Sequence, residues 1–144
     1  MSAPTLDRIL VAFDGSEGAL KACEMAALLA KNLGSEVKLL YVVPTLSIYT
    51  APLANDYYAI HEEKAEGIVR QAMAVFEKKG VEAKCETVRA QWSIVETIVN
   101  YAYDKRSDII LMGARGLGGF KKMLMGSVSS GVVEHAHCPV LIIR

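Results

Sequence analysis

An excess of either charge is missing from this 144-residue chain, in which sixteen lysines and arginines face sixteen aspartates and glutamates. That balance removes the electrostatic footprint of a nucleic-acid binder, local basic patches aside, and favours self-association over colloidal repulsion. Long hydrophobic runs are missing too. No apolar stretch approaches the ~18 residues of a membrane span, so no membrane partner is expected. Met1 to Asp7 holds no signal-peptide core, which places the chain in the cytoplasm as an expectation. Cysteine is scarce and scattered, as Cys23, Cys85 and Cys138 with no CxxC pair. Cys23 falls in a helical pattern and Cys85 in a strand pattern, so packing is expected of them rather than redox work. No linker or low-complexity segment interrupts the chain. With 52% hydrophobic and 22% charged residues, it reads as one domain spanning residues 1–144 that can build its own core.

What is present alternates strictly. Arg8 to Phe13 is a nearly continuous apolar run, as in a strand buried on both faces, and it ends at the turn Asp14-Gly15-Ser16. Helical spacing from Glu17 to Leu33 stops at Gly34, and Val37 to Val43 forms a second strand closed by Pro44. Pro44 to Asn55 has no period and reads as an irregular loop. A long helix is expected over about Asp56 to Lys79, then a half-polar strand from Val81 to Arg89 that belongs near a sheet edge. Ser93-Ile-Val-Glu96 is a capping box opening a third helix to about Lys105. Ile109 to Met112, Ser127 to Ala136 and Val140 to Ile143 complete five strands and four helices. This is the pattern of an open parallel α/β sheet with right-handed crossovers.

In such sheets ligands sit beyond the carboxyl ends of the strands. One strand end stands out, because Gly113 to Ser129 holds five glycines between a strand and a helix. Glycines permit positive φ and let amides approach an anion, while Gly126-Ser-Val-Ser129 offers a helix N-terminus where a phosphate is favoured. Ser127 and Ser129 add hydroxyls; Arg115, Lys121 and Lys122 add positive charge. The plainer alternative is a flexible loop with an ordinary serine N-cap. Two familiar phosphate motifs are absent: Gly126-Ser-Val-Ser-Ser-Gly131 lacks the Walker lysine, and the first turn lacks G-x-G-x-x-G. Asp14 reads equally as a site residue or as a turn former or helix cap. His135-x-His137 beside Cys138 is a poor metal site, since residues two apart on a helix do not share a face. Trp92 is expected to anchor the third helix, and the tyrosine pairs Tyr57-Tyr58 and Tyr101-x-Tyr103 to pack.

The spacing Gly113-x2-Gly116-x9-Gly126-Ser127 resembles G-2x-G-9x-G-[S/T], the ATP-binding signature of the universal stress proteins. Ile9 to Ser16 and Cys138 to Ile143 extend the resemblance over essentially the whole chain. It implies a single Rossmann-like sheet in the order 3-2-1-4-5 with helices on both faces, a homodimer, and ATP at the strand ends. By that resemblance Asp14 would contact the ribose or a divalent metal (Mg or Mn) on the phosphates. Ala12 and Phe13 would line the adenine side, and Val42 would meet the base through its backbone. Met112, Gly113, Arg115 and Gly116 would bracket ribose and phosphates, and Gly126, Ser127, Val128 and Ser129 would cradle the triphosphate. The function implied is a nucleotide-dependent stress-response or signalling module. The alternatives are a slow metal-dependent ATPase or nucleotidyl-transfer enzyme, for which no base, nucleophile or arginine finger can be assigned, and a purely structural dimer. A phosphorylation receiver is excluded, since the third strand ends without an acidic acceptor. The apolar strand Val140 to Ile143, followed only by Arg144, is expected to pair with its copy across a two-fold axis.

Overall fold

The computed structural model describes residues 3–45, 54–117 and 124–144. Five strands, β1 (Arg8–Ala12), β2 (Glu36–Val43), β3 (Ala83–Arg89), β4 (Ile109–Gly113) and β5 (Val140–Ile143), alternate with four helices. The helices are α1 (Glu17–Leu33), α2 (Ala54–Lys79), α3 (Ile94–Asp104) and α4 (Ser127–His135). All strand pairs are parallel, and the sheet order is β3-β2-β1-β4-β5. The expected topology is therefore the observed one. Boundaries move by a residue or two: α2 begins at Ala54, and β3 begins at Ala83 because the Val81 amide is used closing α2 onto the Phe76 carbonyl (2.9 Å). Most of the expected Pro44–Asn55 loop lies outside the described residues, as do Lys121 and Lys122.

The alternation of side chains along β1 explains the two cores. Ile9, Val11 and Phe13 face α1 and α2 together with Val37, Leu39, Leu111 and Phe76. Leu10 and Ala12 face α3 and α4 together with Leu40, Ile98, Ile110 and Val132. A strand buried on both faces needs apolar residues at every position, which is why Arg8–Ala12 shows no polar alternation after its first residue. β3 does alternate, and it forms one edge of the sheet with Lys84, Glu86 and Arg89 exposed. β5 forms the other edge, and all four of its residues are half-buried.

β1 is shorter than its neighbour. Its ladder with β2 ends where Ala12 stands beside Leu40 and the Phe13 amide reaches the Leu40 carbonyl at 2.9 Å. β2 continues to Val43, accompanied only by β3. That missing length of β1 opens a space at the carboxyl end of the sheet.

Candidate functional site

The turn leaving β1 is built by its own side chains. Asp14 Oδ1 accepts the Ser16 amide at 2.9 Å, Gly15 takes φ +90°, and Ser16 Oγ caps α1 by accepting the Ala19 amide at 3.2 Å. A carboxylate bonding two residues ahead is the usual way aspartate makes a turn, and φ near +90° is open mainly to glycine. Asp14 is thus a turn former, while the cap is Ser16. The other carboxylate oxygen, Oδ2, points at Gly116, where a methyl group would sit 2.8 Å from it. Below the sheet at this point Tyr41 is buried, and its phenol is pushed up first by burial, then by the charge of Asp14.

The loop after β4 is folded back on itself through Ala114. Its amide donates to the Ile143 carbonyl at 2.8 Å, and its carbonyl accepts both the Gly126 amide and the Ser129 hydroxyl at 2.6 Å. Gly126 is the N-cap of α4 and, having no side chain, makes no cap hydrogen bond. The first amides of α4 have no intrahelical acceptor by construction. The serine cap of the plainer alternative is not found, and the Ser129 hydroxyl is buried with its proton committed to Ala114, so it braces the loop.

The three described glycines of the spacing motif owe nothing to positive φ, which among described glycines occurs at Gly15, Gly34 and Gly80. Gly113 and Gly116 answer to a close approach. A methyl group on Gly113 would lie 2.8 Å from the carbonyl carbon of Gly18 and 2.9 Å from the Ala19 nitrogen, so Gly113 lets α1 pack on the end of β4. Gly116 makes room for Asp14. Gly126 (φ −79°) has space for a methyl group, its nearest neighbour being the Ala114 oxygen at 3.6 Å.

These elements enclose a cavity of about 500 Å³ at the strand ends, and all the residues assigned to the site from sequence line it. Ala12, Phe13, Val42 and Met112 form apolar wall; Asp14, Gly113, Arg115 and Gly116 form one rim; Gly126, Ser127, Val128 and Ser129 form the other. Five further residues line it without having been anticipated: Ser16, Ala19, Leu40, Ile94 and Ile98. Ile94 and Ile98 stand one turn apart on α3, directly after the Ser93 cap, whose Oγ accepts the Glu96 amide at 3.0 Å. Their period reads as core, and only the position of the α3 N-terminus at the same sheet end signals a lining role.

The two ends of the cavity differ in chemistry. At the β2–α3 end Leu40, Val42, Ile94 and Ile98 present hydrocarbon. In a parallel ladder the N–H and C=O of one residue point to the same side, and alternate residues to opposite sides. Leu40 bonds toward β1 and Val43 toward β3, where its carbonyl accepts the Ala90 amide at 2.8 Å. Val42 therefore turns one donor and one acceptor toward the space that β1 vacates. At the β4–α4 end lie the helix N-terminus, Ser127 and Arg115. β2 and β4 flank β1, so the two ends are separated by two strand spacings, about 10 Å.

Other sequence candidates fall away from this cavity. Trp92 is 73% exposed and does not anchor α3. His135 bonds the Gly131 carbonyl and His137 leans on Tyr103. Among the described residues no group of three or more His, Cys, Asp or Glu side chains could hold a metal, and no helix is long and apolar enough to cross a membrane. Tyr57 packs on Tyr58 and His61, with Arg89 over Tyr58. Cys23 is fully buried, and burial above all pushes its thiol up to about 12, which leaves it inert as a nucleophile.

An open parallel α/β sheet with helices on both faces and one cleft at its switch between β1 and β4 defines a Rossmann-like class. Within that class the chain belongs to the universal stress protein family, whose model matches residues 5–144. It is similar to universal stress protein YxiE of Bacillus subtilis, at 36% identity over 96% of this chain and 99% of that protein. Among solved structures it resembles universal stress protein UspA from Lactobacillus plantarum, with TM-score 0.82 and 26% identity over 99% of this chain and 100% of that one. Two more distant structures share the fold. One is a universal stress protein in complex with cAMP, with TM-score 0.69 and 22% identity over 96% of both chains. The other, from Archaeoglobus fulgidus, is in complex with dAMP, with TM-score 0.72 and 18% identity over 99% of this chain and 100% of that one.

Proposed function

We propose that the cavity binds an adenine nucleotide, ATP with a divalent cation, and that the protein works as a nucleotide-dependent stress-response or signalling module in the cytoplasm. The observation that carries this reading is the pairing of opposite chemistries at its two ends. Val42 offers one amide donor and one carbonyl acceptor beside apolar walls, which suits the acceptor and amino donor on the Watson–Crick edge of adenine. About 10 Å away, the uncapped start of α4 offers amides to phosphate. Guanine presents the reverse polarity along that edge, so the backbone of Val42 favours adenine. Two proteins of the same fold hold adenine nucleotides, in keeping with this assignment.

The residues also suit a cation. Mg²⁺ is commonly held by one or two carboxylates together with substrate phosphates. Asp14 supplies one carboxylate with Oδ1 engaged in the turn and Oδ2 turned to the cavity rim. A metal there would neutralise phosphate charge beside Asp14. Asp14 is the carboxylate among the lining residues, and with no Walker lysine and no assignable base, retention of ATP is expected over rapid turnover. Equilibrium dialysis of the stripped protein against ATP and GTP with Mg²⁺ tests this reading. Saturable ATP binding preferred over GTP supports it, and equal or absent binding overturns it.

We also assign the assembly to a homodimer through β5. Both edges of the sheet are open, but β3 carries exposed charge whereas β5 is wholly apolar and half-buried. Bare apolar edges pair, and charged ones resist pairing. Pro139 and Ile143 turn their carbonyls to β4, so the backbone groups of Val140 and Ile142 point outward. Ile142→Pro removes an edge donor, and sedimentation is expected to show monomers or aggregates. An intact dimer would place the interface elsewhere.

A further inference from the structure

The two buried polar side chains among the described residues are Ser16 and Ser129, and both line the cavity. They spend their hydroxyls differently. A serine hydroxyl has one proton to donate and two lone pairs to accept with. Ser129 donates its proton to the Ala114 carbonyl at 2.6 Å. Ser16, 7% exposed, only accepts: its Oγ takes the Ala19 amide at 3.2 Å. Its backbone is fully engaged, the amide on Asp14 Oδ1 and the carbonyl on the Leu20 amide at 3.1 Å. No acceptor among the described residues takes the hydroxyl proton.

We infer that Ser16 is a ligand-contacting residue that donates this proton to a phosphate oxygen of the bound nucleotide, an assignment that rests on the nucleotide reading above. The place of Ser16 in the cavity favours phosphate over base. It follows Asp14, whose other carboxylate oxygen faces Gly116 on the β4 loop, and it opens α1, whose first turn packs on Gly113. The apolar base end is built instead from β2 and α3. Two helix N-termini, those of α1 and α4, thus border the same end of the cavity, and each contributes partial positive charge to an anion there. Ser16 adds a directed donor held in place by its own cap bond.

Capping and donation separate by substitution. Glycine is nearly as good an N-cap as serine and has no hydroxyl, whereas threonine keeps both the cap and the proton. The experiment is calorimetric titration of ATP with Mg²⁺, and separately of adenosine, into the full chain and its Ser16→Gly and Ser16→Thr variants. Thermal melts without ligand accompany each titration. Ser16→Gly is expected to melt close to the parent and to lose about ten- to hundredfold in ATP affinity, the scale for a hydrogen bond to a charged group. Adenosine affinity is expected to stay unchanged, and Ser16→Thr to restore ATP binding. Ser16→Ala provides the same comparison should the glycine variant not fold. Unchanged ATP affinity in the variant lacking the hydroxyl overturns the assignment while leaving the nucleotide reading intact. An equal loss for adenosine also overturns it, by reducing Ser16 to a structural cap. Failure of the parent chain to bind ATP at all overturns the nucleotide reading first.

Discussion

Replacing Gly113 by alanine tests the packing role of the first motif glycine in isolation from ligand chemistry. The new methyl carbon would stand 2.8 Å from the Gly18 carbonyl carbon and 2.9 Å from the Ala19 nitrogen. Ordinary carbon contacts lie near 3.5–4.0 Å, so the overlap is about 0.7 Å or more. The opposing atoms are backbone in the first turn of α1, which is fixed by the Ser16 cap and by the Leu20 amide on the Ser16 carbonyl. No side chain can swing away, so α1 or the end of β4 must shift. Overpacking of this kind costs about 1–3 kcal/mol, offset by about 0.4–1 kcal/mol from the stiffer unfolded chain. The net expectation is a loss of about 1–2 kcal/mol. Gly67→Ala is the matched control, since Gly67 lies inside α2 with nothing within 4 Å of the added carbon. There the same change is expected to stabilise, by about 0.5–1 kcal/mol. Urea unfolding reads both as shifts of the midpoint at constant slope. A Gly113→Ala midpoint equal to or above that of the parent would refute the close-packing account of this glycine.

Other consequences are as direct. Gly126→Val is expected to abolish nucleotide binding in dialysis while circular dichroism stays unchanged, since the added branches project at the start of α4 where phosphate must approach; retained affinity would move the ligand elsewhere. Asp14→Ala is expected to weaken ATP binding more with Mg²⁺ than without, and equal losses would give Asp14 a ribose or purely structural role. Stability is expected to fall as pH rises from about 9 toward about 12, because the Cys23 thiol, raised to about 12 by burial, stays protonated in the folded chain while it ionises in the unfolded one. The raised value makes that contribution complete below pH 9.0 and progressively lost above it, at up to about 1.4 kcal/mol per pH unit. Cys23→Ala is expected to flatten the slope, and an unaltered slope would assign it to other groups.

The topology was legible because β1 and β4 are apolar at nearly every position, a pattern that double burial demands, whereas β3 alternates as an edge strand does. Residues whose role lies in the backbone were harder to place. The base contact proposed for Val42 is legible in sequence only through family likeness, because its open amide and carbonyl depend on how far β1 runs. Ala114 carries no side-chain signal at all, yet its carbonyl holds Gly126 and Ser129. The glycines were legible as a spacing but not as to cause. Gly113 answers to Gly18 and Gly116 to Asp14, partners more than ninety residues away in the chain. Ser129 looked like a phosphate donor from its position, and burial against Ala114 redirects it. Ser16 and Ile94 went unassigned because a turn ahead of a helix and an apolar helix face are complete explanations until three dimensions put both at one cavity.

Amide chemical-shift mapping of the isotope-labelled protein during titration with ATP and Mg²⁺ tests the central claim most directly, since it reports both that nucleotide binds and where. The account expects saturable shifts concentrated at two groups of amides, Val42 on one side and Gly116 with Ser127, Val128 and Ser129 on the other, with the charged edge of β3 undisturbed. Shifts clustered away from both groups, or none at millimolar ATP, would contradict it.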